Sequence, residues 1–355
     1  MERAGEMMAV QGIGVQTKEV IDDACPENGF RLLREAGFSH VDFSLNGYMR
    51  NTDIYKMKNS HFFDKSMAEL EVFFQPHKQA AEKMGITIGQ MHMPYPAYVP
   101  QGNEELNRYL WEEMAPKSMQ LCHFFSCPYI VIHGFKLAYF LGSEDAEWAE
   151  TERFIHYLAP MAKAMGITIC IENLYDNLNG HMVEGPCCNV DKAVERIDRI
   201  NEQYGAEVLG FCFDTGHANL VGLDFEYFLT RLDHRLKVLH IHDNDGRLDL
   251  HQIPFTFTRT RENASSTDWE GFVRGLQNID YQGVLSFETA PVLTAFPDEM
   301  KADTLKFIHK VGEYFANRVC EGEVVDKKLD FDGENIKCRD LRHFILTMLT
   351  KMLVW

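Results

Sequence analysis

One pattern recurs along the chain: a helix-like stretch ends near a glycine and is followed at once by a short apolar run. It is found in "LLREAGFSHVDFSLN" (32–46), "AAEKMGITIGQMH" (80–92), "MAKAMGITICIEN" (161–173), "NEQYGAEVLGFCFD" (201–214) and, with a shorter lead, "IDYQGVLSFET" (279–289). A glycine just past a helix adopts the left-handed cap conformation at little cost, so a strand can follow immediately. Apolar strands that alternate with helices are typical of a parallel sheet covered by helices.

Three further apolar runs, at 10–16, 128–134 and 238–243, bring the number of strand candidates to eight. Helical segments are predicted between them, at 26–36, 66–84, 103–125, 144–165, 189–204, 224–235, 268–278 and 299–318. Eight such units predict an α/β fold of the (β/α)8 TIM barrel type, with an open doubly wound sheet as the alternative. A dinucleotide site or a P-loop is not expected, because neither G-x-G-x-x-G after a strand nor GxxxxGK[ST] occurs.

We expect the barrel to occupy residues 8–320 and a C-terminal extension to occupy residues 321–355. The extension ends in "FILTMLTKMLVW", which is apolar enough to dock either on the barrel or on a second copy of the chain in a homo-oligomer. Inside the barrel pattern the one long irregular stretch is 252–267, which follows the seventh strand, where barrel enzymes place active-site loops.

Charge and cysteine content limit the partners. The formal net charge of −18 disfavours nucleic acid, whose binding depends largely on Lys and Arg contacts to phosphates. The start, "MERAGEMMAVQGIG", lacks the apolar core of a signal peptide, and no uncharged apolar run long enough for a membrane span occurs. The nine cysteines include no CxxC pair. We therefore expect a cytoplasmic protein with reduced thiols and no membrane partner.

Metal-competent side chains stand at the ends of six successive predicted strands. They are His92, His133, Glu172, Asp214, His242 and Glu288, with His217 shortly after the sixth strand and Asp249 and His251 shortly after the seventh. Because the carboxyl ends of parallel strands meet at one mouth of a barrel, these groups are expected to converge there. A single histidine or carboxylate at a strand end is usually an ordinary solvated group, but six in succession indicate a site.

The argument for a metal is charge compensation. Glu172, Asp214 and Glu288 would repel one another in a poorly solvated mouth, and a divalent cation removes that repulsion while leaving His242 as a nitrogen donor. Mixed oxygen and nitrogen ligation suits Mn²⁺, Mg²⁺, Co²⁺ or Zn²⁺. His240 lies two residues before His242, on the same strand face and one layer deeper, and we expect it to be a supporting neighbour.

The segments "IEN", "FDTGHA", "HIHDND…DLH" and "LSFETA" resemble the xylose isomerase-like TIM barrel superfamily of sugar phosphate isomerases and epimerases. That superfamily also includes ketose 3-epimerases and zinc-dependent abasic-site endonucleases. The resemblance covers residues 8–318 and implies that Glu172, Asp214, His242 and Glu288 hold the metal and that His217 contacts the substrate. In the endonucleases a cluster of three zinc ions has further ligands, which fall on His92, His133, His217, Asp249 and His251.

The chain departs from both branches of the superfamily. The endonuclease pattern has a glycine-rich run after D-x-H, where this chain has "QIPFTFTRTREN". The ketose epimerases have proline after the first glutamate and a second glutamate six residues beyond it, where this chain has Asn173 and Leu178. Their arginine six residues after the metal histidine corresponds only loosely to Arg247, which follows His242 by five. Membership of the superfamily is therefore predicted without a specific ketohexose substrate.

The resemblance implies a metal-dependent sugar or sugar-phosphate isomerase or epimerase. Such an enzyme moves a proton next to a carbonyl through an enediolate, with Glu172 and Glu288 as acid and base, and His217 and Arg247 as candidates for binding the carbohydrate. The alternatives are a carbohydrate lyase that uses the same proton abstraction, a zinc-dependent abasic-site endonuclease-like phosphodiesterase, and a non-catalytic binding barrel.

Overall fold

In the computed structural model, which describes residues 10–100, 102–137, 144–257 and 267–320, the repeated glycines end helices as the sequence predicts. Gly85 (φ 62°) and Gly205 (φ 58°) take the left-handed conformation directly after the helices Met67–Met84 and Val190–Tyr204. The first of these helices also starts with a capping box between Ser66 and Glu69. Start and stop signals of this kind are local, and this explains why the sequence predicts the element bounds closely.

The strands of the described residues are β1 Gly12–Gln16, β2 His40–Ser44, β3 Thr87–His92, β4 Tyr129–His133, β5 Thr168–Glu172, β6 Tyr175–Leu178, β7 His181–Glu184, β8 Leu209–Asp214, β9 Leu236–His240 and β10 Val284–Phe287. Eight of them form one parallel sheet in the order β10-β1-β2-β3-β4-β5-β8-β9. The two edges of this sheet meet through a parallel bridge between Ile241 and Phe287. The amide of Ile241 donates to the carbonyl of Ser286 at 2.8 Å, and the amide of Glu288 donates to the carbonyl of Ile241 at 3.1 Å. These bonds close the sheet into the predicted (β/α)8 barrel.

The α-helices are α1 Pro26–Ala36, α2 Asn51–Ile54, α3 Met67–Met84, α4 Glu104–Tyr109, α5 Ala115–Phe124, α6 Glu144–Met165, α7 Val190–Tyr204, α8 Thr215–Val221, α9 Phe225–Leu232, α10 Trp269–Asn278, α11 Ala290–Ala295 and α12 Lys301–Cys320. The π-helical turn Leu110–Met114 joins α4 to α5. The single helix predicted over 103–125 is therefore one helical segment, but its middle turn is π-helical and not α-helical. No helix of the described residues is long and apolar enough to cross a membrane.

Two apolar regions flank the sheet. Outside it, the inner faces of the helices pack on the strands, for example Phe228 of α9 on Phe213 of β8 with ring centroids 5.4 Å apart. A smaller cluster consists of Val131, Cys170, Cys212 and Val238. Each member lies two residues before His133, Glu172, Asp214 or His240 on its strand, and so shares its face. This cluster is therefore an apolar layer directly beneath the polar strand ends.

Three details differ from the sequence prediction. The seventh barrel strand, β9, ends at His240, and His242 lies just beyond it rather than at its end. A two-stranded antiparallel hairpin, formed by β6 and β7, follows Glu172 and was not predicted. Two short helices were not predicted: α8 directly follows the sixth barrel strand, and α11 follows the eighth after two intervening residues.

Several predicted features lie outside the described residues. They include the extension 321–355, the start of the chain, and residues 258–266 of the irregular stretch 252–267. Eight of the nine cysteines are described, and these are free thiols.

Candidate active site

The structure brings nine of the predicted site residues together at the mouth formed by the carboxyl ends of the barrel strands. These are His92, His133, Glu172, Asp214, His217, His242, Asp249, His251 and Glu288. The strand register explains the convergence, because Glu172 pairs with His133 across β4 and β5 and with Cys212 across β5 and β8. The mouth is thus a continuous surface of imidazoles and carboxylates above the apolar layer.

Glu172 lies at the centre of this set, with a side chain only 1% exposed. Imidazole nitrogens surround its two carboxylate oxygens: His133 Nε2 at 3.1 Å, His217 Nδ1 at 3.2 Å, His240 Nδ1 at 3.3 Å and His92 Nε2 at 3.6 Å. Burial would raise the pKa of Glu172, but the charges of His133 and His240 hold this pKa well below its usual range. Glu172 is therefore a buried carboxylate stabilised by the imidazoles that surround it.

Asp214 and His242 form a second buried contact. His242 Nε2 lies 3.0 Å from Asp214 Oδ1 and 3.1 Å from Oδ2, and both side chains are fully buried. The Thr215 hydroxyl donates to the His242 carbonyl at 2.7 Å and accepts from the His242 amide at 3.0 Å. A Cβ atom on Gly216 would lie only 1.9 Å from His242 Cε1. The "DTG" of β8–α8 is therefore shaped to hold the His242 backbone and ring.

Asp249 and His251 lie at the edge of the site. Asp249 Oδ2 is 3.1 Å from His251 Nε2 and 3.5 Å from His217 Nε2, and the His251 ring stacks on His242 with centroids 3.9 Å apart. Burial alone would lower the pKa of His251, yet the charges of Glu288 and Asp249 raise this pKa to about 9. Burial would raise the pKa of Asp249, yet hydrogen bonds from the two histidines lower it. The pair belongs to the same charge network as the buried groups.

Glu288 is the more accessible of the two predicted catalytic glutamates, with a side chain 16% exposed. Gln16 at the end of β1 donates from Nε2 to Glu288 Oε1 at 2.6 Å, and His240 Nδ1 lies 3.3 Å from Oε2. Burial would raise the pKa of Glu288, but the charges of His240 and His251 lower it to about 2. Gln16 was not predicted as a site residue, although its position as the polar end of an apolar strand matches the rule that identified the other residues.

His240 contacts more of the carboxylates than its predicted supporting role requires. Its Nδ1 is 3.3 Å from Glu172, 3.3 Å from Glu288 and 3.9 Å from Asp214, and its Nε2 is 3.0 Å from Asp42 on β2. Asp42 was not predicted as a site residue. The signal that could have found it is an aspartate inside the apolar strand "HVDFS".

Two tyrosines stand beside the histidines. Tyr95, from the "MPYPAY" loop after β3, stacks on His133 with ring centroids 4.0 Å apart, and Tyr175 at the start of the hairpin lies 5.2 Å from the His217 ring. Lys136 ties the hairpin to the β4 loop through Asp176, at 2.9 Å, and through the Tyr175 carbonyl. The structure therefore supplies an aromatic side chain on each of two sides of the mouth.

Arg247 is the one predicted site residue that the structure does not bring into this set. It lies in an exposed turn, where its amide donates to Asp245 Oδ1 at 2.9 Å. Phe255, from the "PFTFT" loop, packs on Phe315 of α12 with ring centroids 5.4 Å apart and does not stand over the site histidines.

The residues fit a divalent metal ion. Four overlapping groups each offer three ligand atoms within 4.8 Å of one another: His92, Glu172 and His240; His242, His251 and Glu288; Glu172, Asp214 and His217; Asp214, His240 and Glu288. Three buried polar atoms of the set, Glu172 Oε2, His242 Nδ1 and Asp249 Oδ1, have no hydrogen-bond partner among the described residues. Buried polar groups without such partners are costly, and a cation that binds them removes that cost.

Known proteins share this architecture. Residues 30–309, more than half of the chain, match the family described as "Xylose isomerase-like TIM barrel". The uncharacterized protein y4fM of Sinorhizobium fredii (strain NBRC 101917 / NGR234) is 23% identical over 279 residues, which cover 73% of this chain and 79% of that protein.

Solved structures superpose over most of the chain. A D-psicose 3-epimerase structure, determined in the presence of D-fructose, has a TM-score of 0.61 at 14% identity and covers 88% of this chain and 100% of its own. The 3-keto-D-glucoside 4-epimerase of E. coli has a TM-score of 0.58 at 15% identity, with 84% and 98% covered. At these identities the structural likeness shows the fold, and the family match covers most of the barrel. The chain therefore belongs to the xylose isomerase-like TIM barrel family.

Proposed function

We propose that this chain is a metal-dependent epimerase or isomerase of carbohydrates, in which Glu172 and Glu288 move a proton at a carbon next to a carbonyl. The observation that carries this proposal is the placement of the two glutamates, which come from β5 and from the residue after β10 and lie 3.3 Å from the same nitrogen of His240. Two carboxylates that reach one mouth from different strands can serve as the base that removes the proton and the acid that returns it. The epimerases named among the structural neighbours support this reading.

The chain's own residues supply the acid–base chemistry. Removal of a proton next to a carbonyl requires a base within hydrogen-bonding distance of the carbon, and a second group that returns the proton. Glu288, which is partly exposed and is held by the neutral amide of Gln16, is suited to reach a substrate. A divalent ion bound by Glu172, Asp214, Glu288 and a histidine would stabilise the negative charge that develops on the carbonyl oxygen.

The two tyrosines support a carbohydrate as the substrate. Sugars present apolar C–H faces and hydroxyl groups, and tyrosine offers both an apolar ring and a hydrogen-bonding phenol. Burial raises the pKa of Tyr175, so its phenol remains a hydrogen-bond donor at neutral pH. Tyr95 and Tyr175 lie against histidines of the site, within reach of a substrate bound there.

The test is hydrogen exchange into substrate. Metal-stripped protein is reloaded separately with Mn²⁺, Mg²⁺, Co²⁺ and Zn²⁺ and incubated in D₂O with aldoses, ketoses, keto-glycosides and their phosphates. Deuterium at a carbon next to the carbonyl, measured by NMR, reports proton abstraction whether the product is an epimer or an isomer, and an elimination product would identify the lyase. We expect Glu288→Gln, which loses one metal-ligating carboxylate, to bind metal more weakly and to exchange no proton even at a metal concentration that saturates it. A loaded protein that exchanges no proton in any of these sugars would contradict the proposal.

A second candidate function is phosphodiester cleavage by a multinuclear metal centre, as in the endonuclease branch. Such a centre needs more ligands than a single ion, and nine ligand-type residues converge at this mouth. The net charge of −18 opposes it, because DNA binding depends on neutralising phosphates. Metal stoichiometry in the wild type and in His251→Ala separates the two candidates. Loss of two ions, together with chelator-sensitive nicking of abasic-site duplex by the wild type, would favour the phosphodiesterase.

A further inference from the structure

Asp42 is a buried carboxylate outside the set of residues that the proposed function uses. It lies on β2, 1% exposed, and its Oδ2 is 3.0 Å from His240 Nε2. Gln90 of β3 donates from Nε2 to the same oxygen at 3.1 Å and also contacts the Leu239 carbonyl at 3.3 Å. Burying a carboxylate costs free energy unless a partner with hydrogen-bond donors or positive charge compensates it. The partner that the structure provides is the imidazole of His240.

The opposite nitrogen of His240 faces the metal-competent carboxylates. Oxygen and nitrogen ligands lie about 2.0–2.2 Å from ions of this kind, so ligand atoms of one ion are separated by about 3 Å at right angles and by about 4.4 Å across the ion. His240 Nδ1 lies 3.3 Å from Glu172, 3.3 Å from Glu288 and 3.9 Å from Asp214. All three distances fall within that span.

His242 has different surroundings. Its Nε2 contacts Asp214 at 3.0 Å and Asp249 at 3.9 Å, and its ring stacks on His251. His240 occurs in two of the four candidate ligand groups and His242 in one. The sequence predicts His242 as the nitrogen ligand of the metal. In the structure His240, rather than His242, lies close to all three of the carboxylates Glu172, Asp214 and Glu288.

We propose that Asp42 is a positioning residue of the metal centre, which holds His240 by Nε2 so that Nδ1 serves as the nitrogen ligand among Glu172, Asp214 and Glu288. This inference rests on the metal dependence of the proposed function. With the imidazole proton on Nε2, beside the carboxylate, the lone pair of Nδ1 is free to bind a cation. Metal-binding histidines usually have a carboxylate or carbonyl at their second nitrogen, and loss of such a partner weakens metal binding about 10–100-fold.

Gln90 completes the arrangement. In the described residues Asp42 Oδ1 has no hydrogen-bond partner, and the Nε2–H of His240 is close to Oδ2 without meeting hydrogen-bond geometry. The orientation of the Asp42 carboxylate therefore depends on the bond from Gln90. Removal of this amide is expected to weaken metal binding less than removal of the carboxylate itself.

The experiment measures metal binding directly and needs no substrate. Full-length protein is stripped of metal, and its affinity for Mn²⁺ is measured by calorimetry and its Co²⁺ complex by visible absorption. The variants are Asp42→Asn, Gln90→Leu and the control Asp243→Asn, which removes another fully buried carboxylate at the same mouth. Asp243 is bonded to the Thr267 hydroxyl and to the Asn244 amide, not to His240. Melting of the metal-free proteins monitors folding.

We expect Asp42→Asn to weaken Mn²⁺ binding about 10–100-fold and to change the Co²⁺ absorption bands, with a smaller loss for Gln90→Leu and neither effect for Asp243→Asn. If Asp42→Asn does not fold, the smaller loss in Gln90→Leu carries the test. Wild-type affinity and an unchanged Co²⁺ spectrum in the folded Asp42 or Gln90 variant would overturn this inference alone. A wild-type protein that binds no divalent metal would overturn the proposed function as well.

Discussion

Substitution of Gly216 by alanine is expected to displace His242. The added Cβ would lie 1.9 Å from His242 Cε1, 2.4 Å from Nδ1 and 2.6 Å from Nε2, whereas ordinary van der Waals contact begins near 3.4 Å. The ring would have to move by about 1.5 Å to restore such contact. It is fully buried and stacked on His251, so a movement of this size disturbs its 3.0 Å contact with Asp214.

The expected magnitude follows from two opposing effects. Overpacking in a buried site costs about 1–3 kcal/mol, and alanine in place of glycine within a helix returns up to about 1 kcal/mol. Gly216 lies in the first turn of α8, where part of that gain applies. We therefore expect Gly216→Ala to lower the free energy of unfolding of the metal-free protein by about 1–2 kcal/mol.

A double-mutant cycle tests the cause. Urea unfolding is measured for the wild type, Gly216→Ala, His242→Ala and the double variant, and Gly47→Ala serves as a control because a Cβ there meets nothing within 4 Å. If the ring causes the loss, Gly216→Ala should cost close to nothing in the His242→Ala background. An equal cost in both backgrounds would refute the steric explanation, and so would a single variant as stable as the wild type.

Three further outcomes are expected. Addition of Mn²⁺, Co²⁺ or Zn²⁺ at 100 times its dissociation constant should raise the free energy of unfolding by about 2.7 kcal/mol over the metal-stripped protein, and no shift in melting temperature with any of them would contradict a preformed site. Tyr95→Ala should raise KM more than it lowers kcat for any sugar that exchanges deuterium, whereas Tyr227→Ala, on the exposed face of α9, should change neither. Burial against Phe38 lowers the pKa of His309 from 6.5, so the unfolded chain binds this proton at a higher pH than the folded protein does. Stability should then fall as the pH decreases below about 6.5, and urea unfolding at several pH values should show a smaller slope for His309→Gln.

Much of the barrel can be predicted from local sequence. Helix α1 spans 26–36 as expected, because Pro26 sits at its first turn and Gly37 takes the left-handed conformation after it. The residues at the strand ends were also predictable, since the carboxyl ends of parallel strands share one mouth whatever their exact stagger. Glu172, Asp214 and Glu288, which this rule assigns to one mouth, all lie within 3.9 Å of the same nitrogen of His240.

The relative heights of those side chains depend on the barrel as a whole. The sequence alternation puts His240 and His242 on one face, but which of them meets the carboxylates depends on the register of β8 with β9, where Asp214 pairs with His240 after a shift at Phe211 and Cys212. The partners Asp42 and Gln90 come from strands far away in the chain. Local patterns therefore determine which residues point into the barrel. The depth of each residue and the identity of its neighbours follow instead from the stagger between strands and from closure of the barrel, because both depend on contacts between distant segments of the chain.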